Sequence, residues 1–180
     1  MYKRQGGAGG DRTSLRLRTL SDPVERGPAI ALMTQIISAP TFPDAVLARD
    51  KQRLVAAIRE SLTKPSVLAE RAFGKAIYGT HPYGQTAAPE TVESITRDDI
   101  VRYYQANYTA KRAVVTLIGA ISRQEAEAIA EQITRGLPAD GATPPALPDV
   151  KMPLAKAETI RIPHPAQQAT IILGLSLIHI

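Results

Sequence analysis

Residues 65–108 contain a dense series of helix start and stop signals, and this series constrains the fold more than any other part of the chain. The pattern predicts a helix with one apolar face that ends at Gly79, followed by a tight turn at Pro82. A second helix begins near Pro89, and a third begins after Thr96. The region therefore predicts a scaffold of three consecutive helices separated by fixed turns.

Two capping boxes mark further helix starts. Thr96 is followed three residues later by Asp99, and Ser122 is followed three residues later by Glu125. The helix after Ser122 is predicted to end at Gly136. In each pair the hydroxyl and the carboxylate satisfy backbone N–H groups that a helix start otherwise leaves unpaired.

The remaining patterns predict an α+β fold in which helices pack on one face of a sheet. Residues 113–119 are apolar on both sides, which is typical of a strand buried within a sheet. Residues 14–20 alternate apolar and polar side chains, as a strand with one solvated face does. Pro23 lies at an early position of a predicted helix, and a second helix follows from Asp44 with an apolar stripe.

The distribution of proline and glycine predicts the domain organisation. Residues 6–137 are predicted to belong to a first α+β domain, which opens with a flexible glycine-rich turn at residues 6–11. Residues 138–156 form a proline-rich linker. Residues 157–174 are predicted to supply the first strands of a second unit.

The two ends of the chain are predicted not to belong to the natural protein. Residues 1–5 and residues 175–180 look like the translation of a sequencing adapter, and we exclude them from fold reasoning. On this interpretation the chain is an internal fragment of a longer gene product. The missing signal peptide then carries no information about location.

The composition excludes several classes of function. No cysteine is present, which excludes disulfides, thiolate zinc sites and a cysteine nucleophile. Aromatic residues make up 4% of the chain, and the net charge of +5 comes from basic residues interleaved with acidic ones along helices. We therefore expect no nucleic acid partner. The longest apolar run, residues 170–180, is too short to cross a bilayer, so no transmembrane segment is predicted.

Residue chemistry alone predicts no catalytic, cofactor-binding or metal site. His81 and His164 lie in separate proline-flanked turns, and we expect both to hydrogen-bond to backbone rather than to hold a metal, which would need three protein ligands. Tyr103 and Tyr104 are expected to place one ring inward and one at the surface. The acidic residues in first helical turns are explained by the helix dipole: Asp98, Asp99, Glu125 and Glu127.

The order of these signals resembles the insulinase/pitrilysin family of zinc metallopeptidases, in particular its processing-peptidase-like members. The resemblance covers nearly all of residues 11–174. Members of this family are built from homologous α+β units joined by a linker. The resemblance therefore implies that residues 6–137 are the C-terminal part of a first peptidase-like domain and that residues 157–174 begin a second, homologous domain. The matching stretches are residues 20–23, 39–43, 51–59, 78–84, 93–100, 117–119 and 162–168.

The resemblance also identifies departures from the catalytic members. In those members an inverted His-x-x-Glu-His helix supplies two zinc ligands and the general base, and a glutamate on a later helix supplies the third ligand. Aligning residues 55–59 with the later helix puts Ala57 in the ligand position. Glu60 lies roughly 300° further around the helix and is a poor substitute. The Asn-Ala-x-Thr edge strand of catalytic members is also absent from residues 6–20.

These departures favour a catalytically silent bacterial homologue that helps to enclose a peptide substrate with an active partner subunit, as a heterodimer. Zinc would then belong to the catalytic partner or to the full-length protein, not to this fragment. Two alternatives stay open: a fragment of an active zinc endopeptidase, and a structural assembly subunit that binds no peptide. Resemblance to bacterial members implies a periplasmic or cell-envelope location.

Overall fold

The computed structural model describes residues 3–150 and 157–174, which form an α+β structure, as predicted. Within these residues most of the regular structure is helical, and the sheet has two strands. The strands are β1 (Lys3–Ala8) and β2 (Thr13–Arg18). The helices are α1 (Pro23–Ser38), α2 (Asp44–Ser61), α3 (Pro65–Tyr78), α4 (Pro89–Ser94), α5 (Arg97–Asn107) and α6 (Arg123–Thr134), with single 3-10 turns at Pro82–Gly84 and Ala110–Arg112.

The sheet is an antiparallel hairpin in which Lys3 lies opposite Arg18 and Ala8 lies opposite Thr13. The predicted strand at residues 14–20 is thus confirmed, with its end at Arg18. The predicted flexible turn at residues 6–11 is wrong in its first half, because residues 6–8 belong to β1 and pair along β2. Whether residues 1–5 are native stays a prediction, although residues 3–5 lie in β1.

The described chain divides into two compact units. The first unit comprises residues 3–43 and 96–143. In it α1 packs against α6, burying Ala29, Ile30 and Met33 of α1 and Ile129 of α6. The helix α1 begins as predicted, since the Asp22 carboxylate accepts a hydrogen bond of 2.9 Å from the Val24 N–H.

The second unit comprises residues 44–95, 144–150 and 157–174. In it α2 packs against α4, and the buried core consists of Val55, Ile58 and Val92 with Leu62 packed beside them. These α2 residues belong to the predicted apolar stripe, because positions three and four apart share one side of a helix. The predicted domain boundaries at residues 137 and 157 stay predictions.

The predicted helix ends agree with the structure. Gly79 follows α3 with a φ of +55°, a left-handed value that glycine adopts without strain. Ile95 follows α4, and both predicted capping boxes are formed, at Thr96 before α5 and at Ser122 before α6. Local signals are reliable here because each depends on residues within one helical turn.

Three predicted strands are not formed. Residues 113–119 have no helix or strand structure, and Val114 and Ile118 are 89% and 94% exposed rather than buried. Residues 158–163 and 168–174 likewise form no strand, and Ile171 is 86% exposed. A strand is defined by hydrogen bonds to a neighbouring strand, and none of the described residues pair with these segments.

The predicted linker has neither helix nor strand over residues 138–150, and its residues 151–156 lie outside the described part of the chain. The suspected adapter residues 1–2 and 175–180, and with them His179, also lie outside it. Among the helices that the structure describes, none combines the length and apolar character that a membrane span requires.

Candidate functional site

Helix α2 contains Ala57, which the sequence alignment predicts to occupy the zinc-ligand position of catalytic members. Its core side is set by Val55 and Ile58, which are 5% and 7% exposed. Ala57 is exposed and lies about 100° around the helix from Ile58. The structure therefore places Ala57 on a side of α2 that the core of this unit leaves open.

The carboxylates of α2 near Ala57 already have cationic partners. Asp50, seven residues earlier, shares the side of α2 that carries Ala57, and it forms an ion pair of 3.0 Å with Arg49. Glu60 forms an ion pair of 3.6 Å with Lys64. Both pairs are exposed, so each contributes little to stability.

The described residues do not fit a zinc ion. A hydrolytic zinc site needs three protein ligands, and the methyl group of Ala57 offers no lone pair. Among residues 3–150 and 157–174, no three His, Asp or Glu side chains lie together in a group that could hold a metal. No reaction step through zinc is therefore assigned to this part of the chain.

A groove of about 510 Å³ lies between α2 and α4. Its basic walls are Lys51 and Arg59, and its acidic wall is Glu93. The Arg59 guanidinium lies 3.2 Å from the Glu93 carboxylate. Arg59 and Glu93 therefore compensate each other, and the Lys51 ammonium leaves the groove lining with one net positive charge.

The basic side chain of Lys51 joins α2 to α4. Its ammonium group donates hydrogen bonds of 2.6 Å to the Glu93 carbonyl and 2.7 Å to the Ile95 carbonyl, at the C-terminal end of α4. A cation there neutralises the negative end of the helix dipole and satisfies two carbonyls. Helical spacing could not reveal this contact, because it joins residues more than forty positions apart in sequence.

Both predicted turn histidines hydrogen-bond to backbone, as expected. His81 is 6% exposed, and its Nδ1 accepts a hydrogen bond of 3.1 Å from the Tyr83 N–H. His164 Nδ1 accepts from the Ala166 N–H at 3.1 Å, and its Nε2 lies 3.0 Å from the Thr63 carbonyl oxygen. Because Nδ1 accepts, the N–H group of His164 is at Nε2, and it donates a hydrogen bond to the Thr63 carbonyl.

The tyrosine pair divides as predicted, with one ring inward and one outward. Tyr103 is 60% exposed. The Tyr104 hydroxyl donates a hydrogen bond of 2.6 Å to the Ile37 carbonyl, and its ring packs edge-on against Phe42 with the centroids 5.8 Å apart. Burial raises the pKa of Tyr104, and the nearby Tyr108 adds to the effect. Tyr104 thus holds α5 against the end of α1.

The acidic capping residues are unsuited to proton donation. Hydrogen bonds from Thr96 lower the pKa of Asp99 to about 2. Hydrogen bonds from Arg26 and then from Ser122 lower the pKa of Glu125 to about 2. A general acid at neutral pH needs the opposite shift, so both carboxylates act as helix caps.

Comparisons with known proteins agree on one family. The family model described as the peptidase M16 inactive domain matches residues 94–177. The chain is similar to the probable mitochondrial-processing peptidase subunit beta of Schizosaccharomyces pombe, with 28% identity over 109 residues, which is 58% of this chain and 23% of that protein. It is also similar to the crystal structure of a peptidase M16 inactive domain from Pseudomonas fluorescens, with 33% identity and a TM-score of 0.77.

These matches are partial in length. The similarity to the Pseudomonas fluorescens structure covers 79% of this chain and 35% of that chain. The chain thus spans about a third of that structure and under a quarter of the yeast relative.

The expectation of a periplasmic or cell-envelope location is wrong by this comparison. The curated relative is, by its name, a mitochondrial-processing peptidase subunit from a yeast. The expectation depended only on resemblance to bacterial members, and no residue of this chain supported it.

All three comparisons indicate the same group of proteins: the solved structure with 33% identity, the family model over residues 94–177 and the curated relative. The resemblance recognised in residues 11–174 is thereby confirmed. This chain is thus similar to proteins of the M16 family, the insulinase/pitrilysin family of zinc metallopeptidases and their inactive homologues, and its residues 94–177 match the inactive domain of that family.

Proposed function

We propose that this chain is part of a catalytically silent M16 protein that helps to enclose a peptide substrate together with an active partner subunit. The observation that carries the proposal is the exposed Ala57 on the open side of α2, together with the sequence alignment that predicts it to replace the ligand glutamate of catalytic members. A methyl group at this position removes the third zinc ligand and leaves the helix intact as a wall.

Exposed backbone and apolar side chains support a role in contact with other polypeptide. Residues 113–119 are uncharged and lie in no helix or strand, and their exposed side chains include Val114 and Ile118. A segment of this kind can add as a β-strand to another polypeptide, with main-chain hydrogen bonds that supply affinity and alternate side chains that supply selectivity. Contact of this kind needs no catalytic residue.

The curated relative supports the partnership in the proposal, because its name describes one subunit of a processing peptidase. By analogy, the active partner of this chain would carry the His-x-x-Glu-His helix and the zinc ion. The partner would perform hydrolysis, while this chain would contribute walls and peptide contacts to a shared chamber.

The test begins with the complete gene that encodes this chain and with any neighbouring gene that encodes His-x-x-Glu-His. Each product is purified alone and as a pair, and the hydrolysis of a fluorogenic peptide library is measured. We expect the pair to cleave peptides with a kcat/KM at least about tenfold above that of the partner alone, because the chamber is complete only in the pair. The product that contains this chain should be inactive alone.

A second measurement separates peptide enclosure from a purely structural role. The general-base glutamate of the partner is replaced by glutamine, and the binding of a labelled peptide to the pair is measured by fluorescence anisotropy. Tighter binding to the pair than to either subunit supports enclosure. Equal binding by the partner alone would assign this chain to structural assembly, and hydrolysis by this chain's product alone would overturn the proposal.

A further inference from the structure

The first five residues of the predicted linker, residues 138–142, lie against the end of α5 in the first unit. We call this segment the strap. The Pro138 carbonyl accepts a hydrogen bond of 2.8 Å from the Ala110 N–H, and the Ala139 carbonyl accepts one of 3.2 Å from the Lys111 N–H. The Ala142 N–H donates a bond of 3.1 Å to the Ala106 carbonyl. Backbone contacts thus hold the strap at both ends.

Two basic side chains reinforce these backbone contacts. The Lys111 ammonium forms an ion pair of 3.0 Å with Asp140 in the middle of the strap. The Arg112 guanidinium donates to the Ala142 carbonyl, and it also lies 3.5 Å from the Asn107 side-chain oxygen. Arg112 therefore joins the far end of the strap to the last turn of α5, where helix carbonyls lack intrahelical partners.

Gly141 fixes the position of the strap along the chain. A side-chain carbon at this position would overlap the Ala106 carbonyl oxygen and would lie 2.7 Å from the Thr109 methyl group. Thr109 is itself 2% exposed, so it has no room to move aside. Only glycine at position 141 permits this approach, and a shift by one residue would bring a side chain to the same point.

The segment that follows the strap is different. Residues 143–150 are exposed, have no helix or strand structure and make no hydrogen bond or ion pair to another described residue. Three prolines, Pro144, Pro145 and Pro148, favour an extended backbone there.

We propose that residues 138–142 are a latch that fastens the start of the linker to α5, so that the exposed part of the linker begins at Thr143 rather than at Pro138. The latch shortens the tether to whatever follows it by five residues and fixes its point of departure. Arg112 and Gly141 are the residues on which closure depends. The proposal does not depend on the catalytic silence of the chain.

Limited proteolysis with elastase, which cleaves after alanine, tests the latch within the full chain. Ala139 lies in the strap, and Ala146 lies in the exposed segment of residues 143–150. The rates of cleavage after these two alanines are measured in one digest by mass spectrometry. A synthetic peptide of residues 137–150 supplies the intrinsic ratio of the two rates. We expect cleavage after Ala139, relative to Ala146, to be at least about tenfold slower in the chain than in the peptide.

Two variants locate the latch, and a third serves as the matched control. Arg112→Ala and Gly141→Val should each raise the relative cleavage after Ala139 at least about threefold, whereas Arg123→Ala, which removes an exposed arginine on α6, should leave it unchanged. Cleavage after the alanines of α6 identifies a variant that has unfolded altogether. Equal ratios in the unmodified chain and the peptide would overturn the proposal without any variant, and an equal rise in Arg123→Ala would do so as well.

Discussion

Single residues decide the chemistry that this chain can offer. The alignment of residues 55–59 with catalytic relatives predicts that Ala57 replaces their ligand carboxylate, and the two acidic residues of α2 on either side of it, Asp50 and Glu60, are paired with Arg49 and Lys64. Elsewhere the acidic residues Asp99 and Glu125 are committed to helix starts. The carboxylates of Asp99 and Glu125 are thus used as helix caps, as their capping-box positions predicted.

The Glu125 carboxylate predicts a pH dependence of stability. Its pKa in the folded chain is lowered from 4.5 to about 2, first by the Arg26 guanidinium at 2.8 Å and then by Ser122. Because the folded pKa is the lower one, this stabilisation is complete above pH 4.5 and is lost as the pH falls toward about 2. The thermal midpoint should fall across this window, and it should fall less steeply in Glu125→Gln.

The matched control for this experiment is Glu131→Gln. Glu131 lies on the same helix, and its carboxylate makes no hydrogen bond or ion pair within the described residues. Its replacement should leave the slope between pH 4.5 and 2 close to that of the unmodified chain. Identical slopes in Glu125→Gln and the unmodified chain, measured by circular dichroism, would contradict the assignment of Glu125 as a stabilising cap.

The Thr96 hydroxyl predicts a measurable loss of stability when it is removed. It accepts a hydrogen bond of 3.2 Å from the Asp99 N–H, which is one of the unpaired donors at the start of α5. Thr96→Ala should lower the free energy of unfolding by about 1 kcal/mol in urea titrations. Thr86→Ala removes an exposed threonine outside any helix and should change it by less than about 0.5 kcal/mol. Equal losses in the two variants would argue against the cap.

At the scale of helices, packing depends on where glycine is obligatory and where it is merely tolerated. Gly136 comes just after α6 and lies close to the end of α1. A side-chain carbon at position 136 would overlap Ser38. Gly74 lies inside α3 with nothing within 4 Å of such a carbon. The same substitution should therefore have opposite effects at the two positions.

Gly136→Ala should destabilise the chain by about 1–3 kcal/mol, because α1 and α6 must separate to admit the methyl group. Gly74→Ala should stabilise it by about 0.5–1 kcal/mol, because alanine loses less backbone entropy in a helix. Both values come from chemical unfolding followed by far-ultraviolet circular dichroism. The contact of α1 with α6 would be in doubt if the two variants shifted stability in the same direction.

The contact of Lys51 with α4 is a second test at this scale. Lys51→Met keeps most of the aliphatic length but removes the two hydrogen bonds to the Glu93 and Ile95 carbonyls, so it should destabilise the chain by about 1–2 kcal/mol. Arg53→Met on the solvated side of α2 is the control and should change stability by less than about 0.5 kcal/mol. A Lys51→Met variant as stable as its control would show that the α4 end needs no cation.

Whether a structural feature could be predicted from the sequence depends on how far apart in the chain the contacting residues lie. The helix boundaries at Gly79, Thr96 and Ser122 were predictable, because a cap or a left-handed glycine depends on neighbours within one turn. The strand predicted at residues 113–119 is not formed, because a buried strand requires a partner strand and none of the described residues provides one. The Lys51 contact and the Gly141 approach join distant positions, and no local pattern encodes them.

For the molecule as a whole, the family follows from the order of many weak signals rather than from one motif. Residues 78–84 are a tight turn on this chain, and residues 55–59 are one turn and a half of α2. Neither would identify a family alone. Taken in order they predicted a resemblance to the insulinase/pitrilysin family, which the comparisons confirmed. The predicted location rested on no residue of the chain and was wrong.

The central claim is that this chain belongs to a protein that performs no hydrolysis by itself. The most direct measurement is the hydrolysis of fluorogenic peptides by the purified product of the complete gene, with zinc added, with a chelator added, and with the active M16 partner present. The account predicts no chelator-sensitive hydrolysis by the product alone and clear hydrolysis by the pair. Hydrolysis by the product alone that a chelator abolishes and zinc restores would contradict the account, and it would show that the ligand position is not Ala57.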